Sequence, residues 1–164
     1  MTLHHASTAR VAMALALAAA GLAACGGGGG GTATATVAAS AGDKYVGTWF
    51  AACVNSGSTS TRGVSVITKV GANLYALANR SDQFGALNCT GSATAVPVST
   101  SNFQITGTSN VRGVTVDRVA TPDFTGKDLL YLSTPTTFQT GDPASGRDVD
   151  DYPTSLSSSI ATKQ

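Results

Sequence analysis

Apolar and polar positions divide the chain into three stretches. Residues 11–24, VAMALALAAAGLAA, form a continuous apolar run without charge. Residues 26–42, GGGGGGTATATVAASAG, have no charge and hardly any bulk. From about residue 43 the pattern becomes short alternations, as in Val64-Ser65-Val66 and Val114-Thr115-Val116. That period of two is the period of a half-buried strand. Gly, Asn, Ser and Pro punctuate this region at about eight- to twelve-residue intervals, the spacing of a sandwich or barrel. The pattern predicts strands over 45–53, 62–70, 73–80, 88–98, 102–108, 111–119, 127–133 and 136–140. The turn signals are SGSTST, Val70-Gly71-Ala72-Asn73 and Thr108-Ser109-Asn110. No internal repeat is evident. The Ser-rich tail, GDPASGRDVDDYPTSLSSSIATKQ, reads as loop or as a strap across the domain.

Composition sharpens the β assignment. All nine acidic residues are Asp, and Thr, Val, Ser and Gly dominate past residue 42. Those residues favour strands and turns over helix interiors. Hydrophobic residues make up 42% of the chain and charged ones 12%, enough apolar material for one core. Without Arg10 the side chains balance at nine positive and nine negative, which leaves no basic stripe for a nucleic acid.

The apolar run is shorter than the roughly 20 residues of a membrane span. Behind the single basic residue of MTLHHASTAR, and ending in small residues, it has the layout of a secretory signal. At its end Leu22-Ala23-Ala24-Cys25 resembles the lipobox of bacterial lipoproteins. The resemblance implies cleavage before Cys25, a diacylglycerol on its thiol and an acylated amine. One acyl chain anchors a protein marginally, whereas two or more hold it stably. Gly26, where Asp would signal retention at the inner membrane, implies the outer membrane as the destination.

The six glycines that follow satisfy G-x-G-x-x-G, but a nucleotide loop needs a strand before it and a helix or Gly-Lys-Ser/Thr after it. Neither is present, so the stretch reads as a slack tether, with a root-mean-square reach of roughly 20–25 Å. The expected organisation is a signal at 1–24, lipidated Cys25 and tether at 25–42, and one β-domain at 43–164.

Gly47-Thr48-Trp49 is similar to the G-x-W signature on the first strand of the calycins, the superfamily of lipocalins, fatty-acid-binding proteins and avidins. The resemblance implies a small antiparallel up-and-down β-barrel of about eight strands, with Gly47 and Trp49 anchoring one end and a late Arg packed over the Trp. Arg118 and Arg147 are the candidates for that Arg. The alternative architecture is a β-sandwich, with Trp49 an ordinary core anchor.

With Cys25 carrying lipid, Cys53 and Cys89 remain, in an oxidising compartment, and a Cys53–Cys89 disulfide is expected. Trp49 and Cys53 are four apart on the first expected strand, which would set the bridge on the Trp side. Both histidines, His4 and His5, lie in the leader. The mature chain then lacks the groups for a Ser-His-Asp or Cys-His site and for His-ligated zinc. Ser65 and Lys69 stand four apart, too far along a strand to hydrogen-bond. Asp117, Asp123 and Asp128 could serve carboxylate chemistry only if two of them faced each other. Asp142, Asp148, Asp150 and Asp151 form an acidic cluster that is either a calcium candidate through oxygen ligands or a solvated turn. Asn79-Arg80-Ser81 and Asn88-Cys89-Thr90 match the glycosylation pattern by chance. The expected function is therefore non-catalytic and without cofactor. It is an envelope lipoprotein that acts as a binding or interaction module, with another envelope protein as a possible partner. The alternative is a carrier of a small apolar ligand in a barrel cavity.

Overall fold

The computed structural model describes residues 40–122 and 125–164. The leader, Cys25, the tether to residue 39 and Asp123 lie outside the described residues. Nine strands follow in chain order: β1 (Gly47–Phe50), β2 (Val54–Ser56), β3 (Thr59–Lys69), β4 (Tyr75–Phe84), β5 (Ala93–Val111), β6 (Val114–Ala120), β7 (Lys127–Thr134), β8 (Thr137–Thr140) and β9 (Ala161–Lys163). Among the described residues helix is confined to two 3-10 turns, Asp43–Tyr45 and Leu87–Cys89.

Every pairing is antiparallel and consecutive strands pair up and down from β2 to β9. β1 pairs with β3 on one side and with β9 on the other, so the sheet closes into a ring. β1 and β2 both lie against β3, at Val64–Ile67 and at Thr59–Thr61 respectively, as one stave interrupted at residues 51–53. With β1 and β2 counted as one stave, the nine strands make eight staves.

Three expectations are corrected. The strands expected at 88–98 and 102–108 are one continuous 19-residue strand, β5. Its first part pairs with β4 from Ala93 to Phe103 and its second with β6 from Gln104 to Val111. Over 93–102 its other edge has no strand partner among the described residues. Pro97 sits in that half, and an edge strand tolerates a residue that cannot donate. The turn expected at Thr108-Ser109-Asn110 is strand. The chain reverses at Arg112-Gly113, both at positive φ (50° and 89°), as a two-residue hairpin between Val111 and Val114 requires. Asn110 Oδ1 accepts from the Gly113 N–H at 2.9 Å and supports the turn. Finally, the tail is both strap and strand. Residues 141–157 cross the domain, and Ala161–Lys163 then closes the ring as β9.

Two apolar clusters follow from the alternation. The inner one joins Tyr45, Trp49, Ile67, Tyr75, Phe103, Val119, Leu130 and Phe138. On β7, Leu130 and Leu132 face it, while Leu129 and Tyr131 face away into a second cluster with Val111, Val116, Tyr152 and Leu156. The strap thus covers the outer face of β6 and β7. Arg118 holds it there through ion pairs to Asp148 and Asp150, with its guanidinium 4.5 Å from the Tyr152 ring centre.

Candidate functional site

One end of the ring is filled by aromatic side chains. Trp49 is fully buried, and its Nε1–H donates to the Tyr45 carbonyl at 2.7 Å. Phe138 lies 5.2 Å from Trp49 and 6.0 Å from Tyr45, ring centre to ring centre. The Tyr45 hydroxyl donates to Asp117 Oδ2 at 2.6 Å and to the Leu130 carbonyl at 3.0 Å. Burial, and then the Asp117 carboxylate beside it, push the Tyr45 phenol far above its ordinary value. Lys44 pairs with the same carboxylate at 2.6 Å. Asp43, in the 3-10 turn beside it, pairs with Lys69 and accepts from Ser40 and Tyr75, and the Lys69 ammonium first and then the Ser40 and Tyr75 donors hold its carboxyl well below the usual range.

Moving away from that end, the inner face changes character in the same way on five strands. Ile67 gives way to Ser65 on β3, Leu77 to Asn79 on β4, Phe103 to Ser101 on β5, Leu130 to Asp128 on β7 and Phe138 to Thr140 on β8. All ten residues line one cavity of about 400 Å³, together with Val119, Ala120, Thr121, Gly126 and Lys127. The volume falls within the range of small-molecule pockets. The cavity has an apolar floor above the aromatic end. Its polar side lies toward the β6–β7 connection, where exposed Gly126 lines it.

Two polar walls can be described. On one, Ser65 donates to Asn79 Oδ1 at 2.7 Å and Asn79 Nδ2 donates to Ser99 at 3.2 Å. On the other, Asp128 is half-buried. Its Oδ1 accepts from the backbone N–H of Leu129 at 2.7 Å and of Gly141 at 2.9 Å. Neither bond uses Oδ2. A side chain at Gly141 would collide with Asp128 Oδ1 and with Pro153 of the strap, so glycine is what lets this N–H reach the carboxylate. Burial pushes the Asp128 carboxyl up, against the two backbone N–H bonds and Arg147.

A carboxyl whose folded value is raised favours the folded state most below its unfolded value near 4, and that advantage is lost as pH rises through the folded value. Asp128→Asn keeps an oxygen for the Leu129 and Gly141 N–H groups and removes the charge. It is expected to raise the urea midpoint at pH 7 and leave it unchanged at pH 3. An unchanged or lowered midpoint at pH 7 would show that the carboxylate carries no desolvation cost.

The sequence-predicted residues fall as follows. Cys53 and Cys89 form a disulfide across a sequence separation of 36. It does not share a face with Trp49, because the strand breaks at residues 51–53 and Cys53 is exposed. The cation over Trp49 is neither Arg118, which points out from β6 to Asp148 and Asp150 of the strap, nor Arg147, which donates to the carbonyls of Lys127 and Asp151. It is Lys163 of β9, paired with Trp49 across the ring closure, with Nζ 5.3 Å from the indole centre. Gly47, at φ 144°, makes room for it: a Cβ there would lie 2.5 Å from Lys163 Cε. Ser65 and Lys69 are directed to Asn79 and Asp43, not to each other.

Asp142, Asp148, Asp150 and Asp151 do not converge as calcium ligands. Asp148 and Asp150 face Arg118, and Asp142 Oδ1 accepts from the Ala144 N–H. Among the described residues no three Asp, His or Cys side chains gather as a metal site. Sequence reasoning weighed Asp128 only as half of a carboxylate pair. Its place on the cavity wall comes from register, and the signal that could have found it is the repeated step from apolar to polar two residues along a strand. Comparison with protein-family models, with curated proteins and with solved structures finds no match for this chain.

Proposed function

We propose that this chain is a lipoprotein of the bacterial outer membrane, acylated at Cys25, whose domain is a calycin-type β-barrel that binds a small molecule without catalysing its conversion. The observation that carries the binding reading is the cavity of about 400 Å³ inside the ring, apolar at its floor and polar at its other end. A barrel interior packed by its own side chains would leave no such space. The calycin reading is supported by the up-and-down order and by Gly47, Trp49 and Lys163, which meet where the last strand closes on the first. The anchor is supported by the Leu22-Ala23-Ala24-Cys25 motif and the glycine tether behind it.

A second reading, contact with another envelope protein, is favoured by the bare edge of β5 over 93–102, where Val96 and Val98 are exposed. Native mass spectrometry of the membrane-extracted protein separates the two. A bound small molecule released on activation supports the carrier. An empty domain that instead co-purifies with a stoichiometric protein supports the contact module. Intact mass of the same sample must show the acyl chains on Cys25, and an unmodified thiol there would refute the anchor.

A further inference from the structure

The cavity does more than offer space, because its walls differ in charge as well as polarity. Among the residues that line it, Asp128 and Lys127 are the ones that carry charge. Lys127 alternates with Asp128 along β7 and points to the opposite face. Its Nζ donates to the Asp150 carbonyl at 2.7 Å and stands 5.5 Å from the Tyr152 ring centre, on the strap. Arg147, whose charge also acts on Asp128, is bonded through Nη1 to the carbonyls of Lys127 and Asp151. Both neighbouring cations are thus engaged outside the cavity. The Asp128 carboxylate, on the cavity wall, is held by two backbone N–H groups on Oδ1, and neither of those bonds uses Oδ2.

Resting on the reading of this cavity as a small-molecule site, we propose that its ligand is a small organic amine. The ammonium would meet Asp128 Oδ2 and the apolar body would lie against Leu77, Phe103, Leu130 and Phe138. The geometry disfavours the other classes. An anion would meet the Asp128 carboxylate with no lining cation turned inward to offset it. A purely apolar ligand would displace water from Asp128 and Asn79 without replacing the hydrogen bonds, and an unmatched buried polar group is costly. An amine supplies what is missing: a charge-assisted donor for the carboxylate, shorter and stronger than a neutral one. Its positive charge would also offset the desolvation that pushes the Asp128 carboxyl up. The Ser65–Asn79–Ser99 chain opposite would accept a second polar group on the same ligand.

The test uses the full chain and three water-soluble probes of similar size: 2-phenylethylamine, 2-phenylethanol and 3-phenylpropanoate. Calorimetry at pH 7 gives the affinities. Fluorescence of Trp49, the chain's one Trp and packed on the cavity-lining Phe138, reports occupancy. The amine is expected to bind at least tenfold more tightly than the alcohol and more tightly still than the acid. In Asp128→Asn the amine should lose tenfold or more while the alcohol is unchanged. The comparison on the unsubstituted protein stands even where the variant fails to fold. Equal binding of amine and alcohol, or an Asp128→Asn variant that keeps its preference for the amine, overturns the amine assignment and leaves the cavity as a small-molecule site. Failure of all three probes to bind overturns both.

Discussion

Replacing Cys53 and Cys89 together by Ser is expected to lower the unfolding free energy by about 4 kcal/mol, the chain-entropy value for a loop of this length. The sequence separation is 36, and in the oxidised unfolded chain that loop stays closed. The folded variant is expected to keep most of its geometry, because hydrogen bonds hold the same corner. The Asn88 N–H donates to Asn55 Oδ1 at 2.8 Å, the Cys89 N–H donates to Ser60 Oγ at 2.8 Å, and Ser60 donates on to the Ala86 carbonyl at 2.7 Å. Asn88 and Cys89 both have positive φ, so the backbone at this corner has little freedom to relax without strain. Urea unfolding of the double variant, and of the unsubstituted protein with and without reductant, measures the loss. Two results are expected together: a lower midpoint, and faster amide exchange confined to β2, the Leu87–Cys89 turn and the start of β3. A loss below about 1 kcal/mol would mean that the entropy of the open loop is not what stabilises this end of the sheet.

How much of this was legible beforehand depends on how local the signal is. The alternation in Val64-Ser65-Val66 and Val114-Thr115-Val116 marks β3 and β6 directly, since each residue's face is fixed by its neighbours. The disulfide was legible too, once Cys25 was assigned to lipid. β5 was legible only as two pieces, 88–98 with Pro97 inside it and 102–108, because the polar residues Ser99-Thr100-Ser101 read as a break. They are tolerated because half of that strand is an edge, which only the tertiary stagger of β4 and β6 decides. The Arg112-Gly113 turn was obscured by a residue type that rarely takes positive φ. β9 hid in a Ser-rich tail, since a three-residue strand is specified by its partners β1 and β8 more than by itself. The cavity is the clearest case. Each apolar-to-polar pair stands in the sequence, Leu130 and Asp128 among them, but only register brings the five polar ends to one end of the ring.

Trp49→Ala is expected to cost about 3–5 kcal/mol, the range for emptying a fully buried large aromatic site. Three contributions add at this position. The indole fills space against Phe138 and is fully buried, so its removal leaves a cavity that the closed ring cannot collapse around. Its Nε1–H is the donor to the Tyr45 carbonyl, which would lose its side-chain partner inside the core. Its face also carries the Lys163 ammonium, on the short strand that closes the sheet. Variants separate these parts. Trp49→Phe keeps an aromatic ring but loses the hydrogen bond, and should cost less than Trp49→Ala. Lys163→Met keeps an apolar stem beside Gly47 and loses only the charge, for about 0.5–1 kcal/mol. Far-UV circular dichroism in urea serves all three, since fluorescence is lost with the Trp. If Trp49→Ala costs no more than Lys163→Met, the aromatic end is not what holds the ring closed, and the support that Gly47, Trp49 and Lys163 lend to a calycin-type barrel falls with it.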